Sequence, residues 1–208
     1  MLRILGRVTS INVRKVVWVA DELGLAYEQE EWGKSVGRDT RSPEFLALNP
    51  NGQVPVMVDD GFVLWESTAI IRYLAEVHGD GRLIPGAARD RALMEQWLGW
   101  QQAELRPVWT YAFRALGAPL PGFTDRQQII GSIRRWTEKM VILERQLATG
   151  GPHIVGDAFT LADIALGVSV HRWRQTPFAK LPLPATDAYF DRLLQRPAAR
   201  LALGDEMP

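Results

Sequence analysis

Three short runs within the first seventy residues carry side chains suited to one kind of chemistry. Thr9-Ser10-Ile11-Asn12 sets two hydroxyls and an amide at the start of an apolar helical stripe, where the free N–H groups and dipole of a helix N-terminus favour a bound anion. A thiolate is such an anion. Ser10 is equally a preferred helix N-cap, which is a structural role only. Val54-Pro55 opens an apolar run and suits a cis peptide bond, which would turn the Val54 backbone outward to pair with an extended peptide like an added strand. Only about one X-Pro bond in twenty is cis, so the pair is a weak signal by itself. Glu66-Ser67 begins another helical stripe: Ser67 and nearby amides suit a carboxylate and Glu66 an ammonium, the two charges of an α-amino acid, with a plain cap as the alternative. In this order the runs supply an anion seat, a peptide edge and an amino-acid clamp. The ligand they describe is a small peptide carrying a thiol.

Those runs need elements to hold them. Leu2-Arg3-Ile4-Leu5 alternates like a strand, and Val13, Val16, Val17, Ala20 and Leu23 recur at helical spacing up to Gly24. A β-like stretch around Tyr27 to Trp32 leads into a polar loop and a short helix from Pro43. Val54 to Val58 and Phe62 to Trp65 flank Asp59-Asp60-Gly61, a strong hairpin signal. Ser67 then opens a helix with Ile70, Ile71, Leu74 and Val77 on one face. The predicted order is βαβαββα over residues 1–79, an α/β domain. Gly, Asp and Pro dominate the linker 80–88, and 89–208 reads as an all-α domain. Its helices are predicted over 89–116, over 124–149 with Trp136, Met140, Leu143 and Leu147 in register, and from Thr160, where Thr160 and Asp163 have the spacing of a capping box.

Composition narrows the chemistry further. The 208 residues hold 24 basic and 24 acidic side chains, so no field favours nucleic acid or an anionic membrane, and neither is expected as a partner. Cysteine is absent, which excludes disulfides, thiolate metal sites and a protein-thiol nucleophile, so any sulfur chemistry uses a sulfur from outside the chain. No apolar run approaches the ~18 residues of a membrane span and no signal-type leader is read at Met1-Leu2-Arg3-Ile4, so the expected location is the cytoplasm. Gly33-Lys34-Ser35 resembles the end of a P-loop, but Glu28 stands at the first required glycine. His78, His153 and His171 lack metal-ligand spacing, and no metal is expected.

Gly6 to Val16, Asn49-Pro50-Asn51-Gly52-Gln53-Val54-Pro55-Val56, Leu64 to Ile70 and Phe159-Thr160-Leu161-Ala162-Asp163-Ile164 together resemble the soluble glutathione transferases, most closely bacterial serine-type members similar to the theta, delta and nu groups. The likeness spans the chain. It implies a thioredoxin-like first domain that binds glutathione as co-substrate, and a helical second domain that forms much of the pocket for a small hydrophobic electrophile or a peroxide. By position, Ser10 would donate to the glutathione sulfur with Asn12 near it, Gln53 and Val54 would meet the peptide, and Glu66 with Ser67 would hold the γ-glutamyl end. Thr9, Ile11, Arg106, Val108 and Tyr111 would border the electrophile. The resemblance also implies a homodimer formed by the helix from Ser67 and the helix from about 89, to which the tryptophans between 97 and 109 would contribute.

Departures from the family pattern are informative. Gly6-Arg7-Val8 stands where tyrosine-type members place a phenol, and cysteine-type chemistry is impossible. Many relatives have lysine where this chain has Gln53, which leaves Arg41 and Lys34 as alternative cations for the glycine carboxylate. The Ser-Ser-Cys helix start of the maleylacetoacetate isomerase relatives is missing. Trp97, Trp100, Gln101, Arg106, Val108, Trp109 and Tyr111 share one long helix, and such an aromatic stripe is more often core than site. Two functional classes remain: a glutathione-dependent enzyme acting on an electrophile, peroxide or disulfide (with isomerase or dehalogenase variants), and a transferase-like binding or regulatory module. Turnover in the presence of glutathione separates them.

Overall fold

Alternating and β-branched residues in four short runs build one sheet in the computed structural model, which describes residues 1–33 and 36–204. The strands are β1 (Leu2–Leu5), β2 (Tyr27–Glu30), β3 (Val56–Asp59) and β4 (Phe62–Trp65), in the spatial order β2-β1-β3-β4. β1 is parallel to β2 and antiparallel to β3, and β3 and β4 form the predicted hairpin. Its two turn residues, Asp60 and Gly61, both have positive φ, as a type I′ turn requires. Register decides what happens at one end of the sheet. Leu5 lies opposite Glu30 on one side and Val56 on the other, and Val56 lies opposite Trp65. The last residues of β1, β2 and β4 and the first of β3 therefore share one edge, and the segments that follow or precede them emerge together.

Helices α1 (Ile11–Leu23), α2 (Pro43–Leu48) and α3 (Ser67–His78) complete the βαβαββα order. Leu5, Trp32, Phe45, Val56 and Val58 form a core cluster, with the Trp32 and Phe45 rings 4.9 Å apart. The α1 stripe is buried at Val13, Val16, Ala20 and Leu23, but so are Arg14, Lys15, Trp18 and Val19 on other faces. Besides α3, α1 packs against α9 (Pro197–Leu203), which belongs to the same compact unit as Met1–Ile84. Arg14 and Glu22 of α1 both bond to this segment, Arg14 to the Leu203 carbonyl and Glu22 to Arg196, and Trp18 falls between them by helical spacing. On α3 the buried set runs through Ile70, Ile71, Leu74 and Ala75, while Val77 stands 54% exposed on the flank.

The second unit is Pro85–Gln195. The helix predicted over 89–116 is a continuous helical path made of α4 (Ala88–Trp100), a π segment at Gln101–Leu105, α5 (Arg106–Ala112) and a second π segment at Phe113–Gly117. Pro107 accounts for the first interruption: it offers no N–H and crowds the preceding turn, and the wider π turn, with the Arg106 N–H on the Gln101 carbonyl, relieves both problems. Next come α6 (Arg126–Thr149), capped by Asp125 as it accepts from the Gln127 and Gln128 N–H groups, then α7 (Leu161–Gln175) and α8 (Pro184–Leu193). α7 is the axis of this unit, buried at every position from Leu161 to Trp173. Its one buried carboxylate, Asp163, is fully engaged: Oδ2 accepts from the Thr160 N–H at 2.8 Å, and Oδ1 from the Ile154 N–H at 2.9 Å and the Tyr189 hydroxyl at 3.0 Å. A carboxylate this deep costs several kcal/mol unless it is so paired. Further along α7, Trp173 packs ring to ring with Trp136 and Phe178, and Trp136 with Trp109. No helix among the described residues is long and apolar enough to cross a membrane.

Candidate functional site

The shared sheet edge collects the runs singled out from the sequence. From the end of β1 the chain passes through Gly6–Ser10 into α1; Val54-Pro55 enters β3; and Glu66 leaves β4 to start α3. Gly6 makes the approach possible. It has φ 146°, and a Cβ there would sit 2.6 Å from Val13 and 2.8 Å from Val54, so only glycine lets strand end, helix and Val54 come together. The Val54-Pro55 bond is cis, and Val54 precedes the paired residues of β3.

The loop before α1 is held on both flanks. Gln29 Nε2 donates to the Gly6 carbonyl at 2.6 Å, the Val8 N–H donates to Glu31 Oε1 at 3.1 Å, Arg14 Nε donates to the Val8 carbonyl at 2.9 Å, and the Ser10 N–H closes a turn onto Arg7 at 3.0 Å. Thr9 is exposed and Ser10 half-buried within this frame, while Ile11 is buried. Ser10 occupies the N-cap position with extended backbone, φ −81° and ψ 123°, and its carbonyl accepts the first helical bond from Arg14 N–H at 2.9 Å. Its hydroxyl makes no capping bond to the helix. A serine that caps through its side chain accepts from a first-turn N–H, a bond that Ser10 does not make. In the first turn of α1 the Asn12 Oδ1, an acceptor, is buried without a partner among the described residues.

Ser67 repeats the pattern on α3. It is 2% exposed, and its Oγ is buried with no hydrogen-bond partner among the described residues. A buried hydroxyl left so costs about 1–3 kcal/mol. Glu66 beside it is exposed and holds φ 75°, ψ 109°, an unfavourable region for a residue with a Cβ, and makes no capping bond. Backbone strain of this kind costs about 1–3 kcal/mol and gathers at ligand clamps. Sequence reading found both residues but had no signal for the strain.

Gln53 is exposed, and the turn before it is built by Asn49, whose Nδ2 donates to the Gln53 carbonyl at 2.7 Å and whose Oδ1 accepts from the Asn51 N–H at 3.0 Å. Gly52, at φ 62°, lies against Arg41: a Cβ there would be 3.0 Å from Arg41 Nη1. The guanidinium thus packs against Gly52, the residue before Gln53. Lys34, the other cation considered, lies outside the described residues. The stretch after β2 is fastened by Glu30, which accepts from Arg3 Nε at 2.6 Å, while Arg38 stacks over Trp32 at 4.0 Å. Burial raises the Glu30 carboxyl, but Arg3, Trp32 and Arg38 outweigh it and hold the group below its ordinary range.

The three remaining candidates belong to the helical unit. Arg106 is exposed; Val108 is half-buried, with its carbonyl accepting from Ser132 Oγ at 2.6 Å; and the Tyr111 hydroxyl accepts from the Asp125 N–H at 3.2 Å while its ring packs on Phe123. Trp97 and Trp109 are 7% and 2% exposed, so these two tryptophans are already buried within their own unit and are no surplus for an interface. Gln101 is buried too, donating to Ser169 Oγ at 3.1 Å. Sequence reasoning missed Arg14 and Glu31, whose roles depend on where the Val8 peptide lies.

Comparison with known proteins agrees with this layout. Residues 2–76 match the family model described as glutathione S-transferase, N-terminal domain, and residues 131–195 the model described as glutathione S-transferase, C-terminal domain. The chain is 33% identical over 202 residues to glutathione S-transferase GstB of Escherichia coli (strain K12), covering 96% of each, and 30% identical over 210 residues to the disulfide-bond oxidoreductase YfcG of the same strain, covering 94% of each. The crystal structure of the theta class glutathione S-transferase from Xanthomonas axonopodis pv. citri with glutathione bound is 34% identical and superposes with a TM-score of 0.92, over 100% of this chain and 99% of that one.

Proposed function

This chain belongs to the glutathione S-transferase superfamily, and we propose that as a glutathione transferase it activates the glutathione thiol at Ser10 for attack on a small electrophile. One observation carries the reading: a serine at the N-terminus of α1 leaves its hydroxyl out of the helix cap, at the same sheet edge as Val54, Glu66 and Ser67. A free thiol with pKa ~8.5 is only a few per cent ionised at neutral pH, and lowering it by about two units is worth about 2.7 kcal/mol. A hydroxyl donor and the first-turn N–H groups of α1 are of the right size to supply this.

In this reading Ser10 Oγ–H and the Asn12 amide donate to the sulfur. The Val54 backbone pairs with the cysteinyl residue. Glu66 accepts from the γ-glutamyl ammonium, and the Ser67 hydroxyl with the α3 N–H groups meets its carboxylate, which gives the buried Oγ its partner. Arg41, seated on Gly52 beside Gln53, is the cation for the glycine carboxylate. On the first unit Thr9 and Ile11, the neighbours of Ser10, border the electrophile. The thiol proton leaves to solvent, the sulfur–carbon bond forms, and the electron pair of the broken bond departs with the leaving group. The protein works as a homodimer in the cytoplasm, where glutathione is kept reduced.

A second reading, reduction of disulfides, draws support from the likeness to the oxidoreductase YfcG and from the absence of cysteine. Here the thiolate attacks a disulfide and expels one thiolate, and a second glutathione attacks the mixed disulfide, so two glutathiones are oxidised for each disulfide reduced. An assay of an activated aryl halide, an organic hydroperoxide and a small disulfide with glutathione tests both readings. Conjugation of the halide supports transfer, consumption of the disulfide alone supports reduction, and glutathione binding without turnover of any of the three would make the protein a binding module.

A further inference from the structure

Arg14 is a charged side chain only 5% exposed, one turn into α1. Burying a guanidinium is costly unless its donors are taken. Nε donates to the Val8 carbonyl at 2.9 Å, and Nη1 donates to the carbonyl of Leu203, at the last residue of α9. Leu203 is 189 residues away in sequence, and its carbonyl lies at the negative end of the α9 dipole, where a cation is favoured. Val8 is held from the other side by Glu31, which accepts its N–H at 3.1 Å. Two side chains of opposite charge thus clamp the Val8 peptide two residues before Ser10.

We propose that Arg14 is a positioning residue for Ser10: by joining the Val8 carbonyl to the end of α9, it fixes the loop so that the Ser10 hydroxyl aims at the sulfur, and it makes thiolate activation depend on the C-terminal helix being docked. The inference rests on the thiolate role of Ser10. Arg14 touches neither substrate nor the reacting atoms, and the glutathione clamp at Val54, Glu66 and Ser67 does not depend on it.

The test is the ultraviolet thiolate absorbance of glutathione bound to the full-length protein, titrated against pH, together with steady-state kinetics on an aryl halide. Arg14→Lys keeps the buried charge, and with it the fold, but its single ammonium nitrogen cannot reach both carbonyls as Nε and Nη1 do. It should raise the apparent pKa of bound glutathione by about half a unit, which lowers turnover about threefold below that pKa, with KM for glutathione changed less than twofold. Arg196→Gln, which loosens α9 at its Glu22 contact and leaves the loop untouched, should shift the titration in the same direction. In a Ser10→Ala background, Arg14→Lys should add nothing, because its effect passes through the missing hydroxyl. An equal shift with and without Ser10, or no shift where Ser10→Ala alone produces one, overturns the positioning role. If Ser10→Ala alone leaves the titration unmoved, the thiolate role of Ser10 fails first, and that outcome is distinct from the other two.

Discussion

Replacing Ser10 with alanine distinguishes thiolate activation from helix capping more sharply than any other change. A capping serine gives up about 1 kcal/mol of stability when lost. Ser10 makes no capping bond, so Ser10→Ala should cost the fold only a few tenths of that value and leave the melting temperature nearly unchanged. The bound thiol should respond strongly. One hydrogen bond to a charged group is worth about 1.5–3 kcal/mol, a rise of roughly one to two units in the pKa of bound glutathione. If the wild-type complex titrates near ~6.5, a rise of about 1.5 units cuts the thiolate fraction at that pH from about one half to about 3%, a roughly fifteenfold loss of turnover that disappears above about pH 9. Asn12 and the α1 N–H groups remain, so activity falls without vanishing. The assay is thiolate absorbance of bound glutathione against pH, with thermal melts on the same samples. Superimposable titrations with a melting temperature several degrees lower would refute the reasoning and return Ser10 to the cap.

Glu66→Ala should weaken glutathione binding by about 1.5–3 kcal/mol in calorimetry, since a charge-assisted bond to the ammonium is lost, while an unchanged affinity in a folded variant would mark Glu66 as structural. Glu30, held below its ordinary range, contributes stability that is present above about pH 4.3 and is lost as pH falls through its lowered folded-state value. Glu30→Gln should therefore lower the melting temperature at neutral pH and flatten its decline in acid; parallel curves would show that Glu30 carries no such linkage. Sedimentation at micromolar concentration should give a dimer through α3 and α4, which leave Val77 and Leu93 54% and 46% exposed, and a monomer would count directly against that assembly.

Local physics made much of the first unit readable. Asp59-Asp60-Gly61 can scarcely do anything but turn a hairpin, the Val13 to Leu23 stripe needs only helical periodicity, and Ser10, Val54, Glu66 and Ser67 stand out because their types match one ligand. What stayed hidden depends on distant contacts. The burial of the Arg14 and Trp18 face of α1 comes with α9, and nothing in the short, alanine-rich Pro197–Leu203 run says which surface it will cover. The π segments follow from Pro107 meeting a helix that packing keeps intact, which periodicity reads as unbroken. The burial of Trp109 was equally hidden, because it depends on the Trp136 ring of α6, far along the chain.

The return of α9 to α1 has a consequence for how the protein is made. A ribosome delivers α1 long before Leu203, so the nascent first unit, although its sheet and first three helices are already out, must wait with one face of α1 uncovered until α9 emerges. The segment Pro85–Gln195 lies wholly inside that interval and can collapse on itself first. Order of emergence and order of maturation are thus reversed. Emergence of α9, rather than of Ser10, marks the moment at which Arg14 gains its second carbonyl and the loop before α1 its last tie.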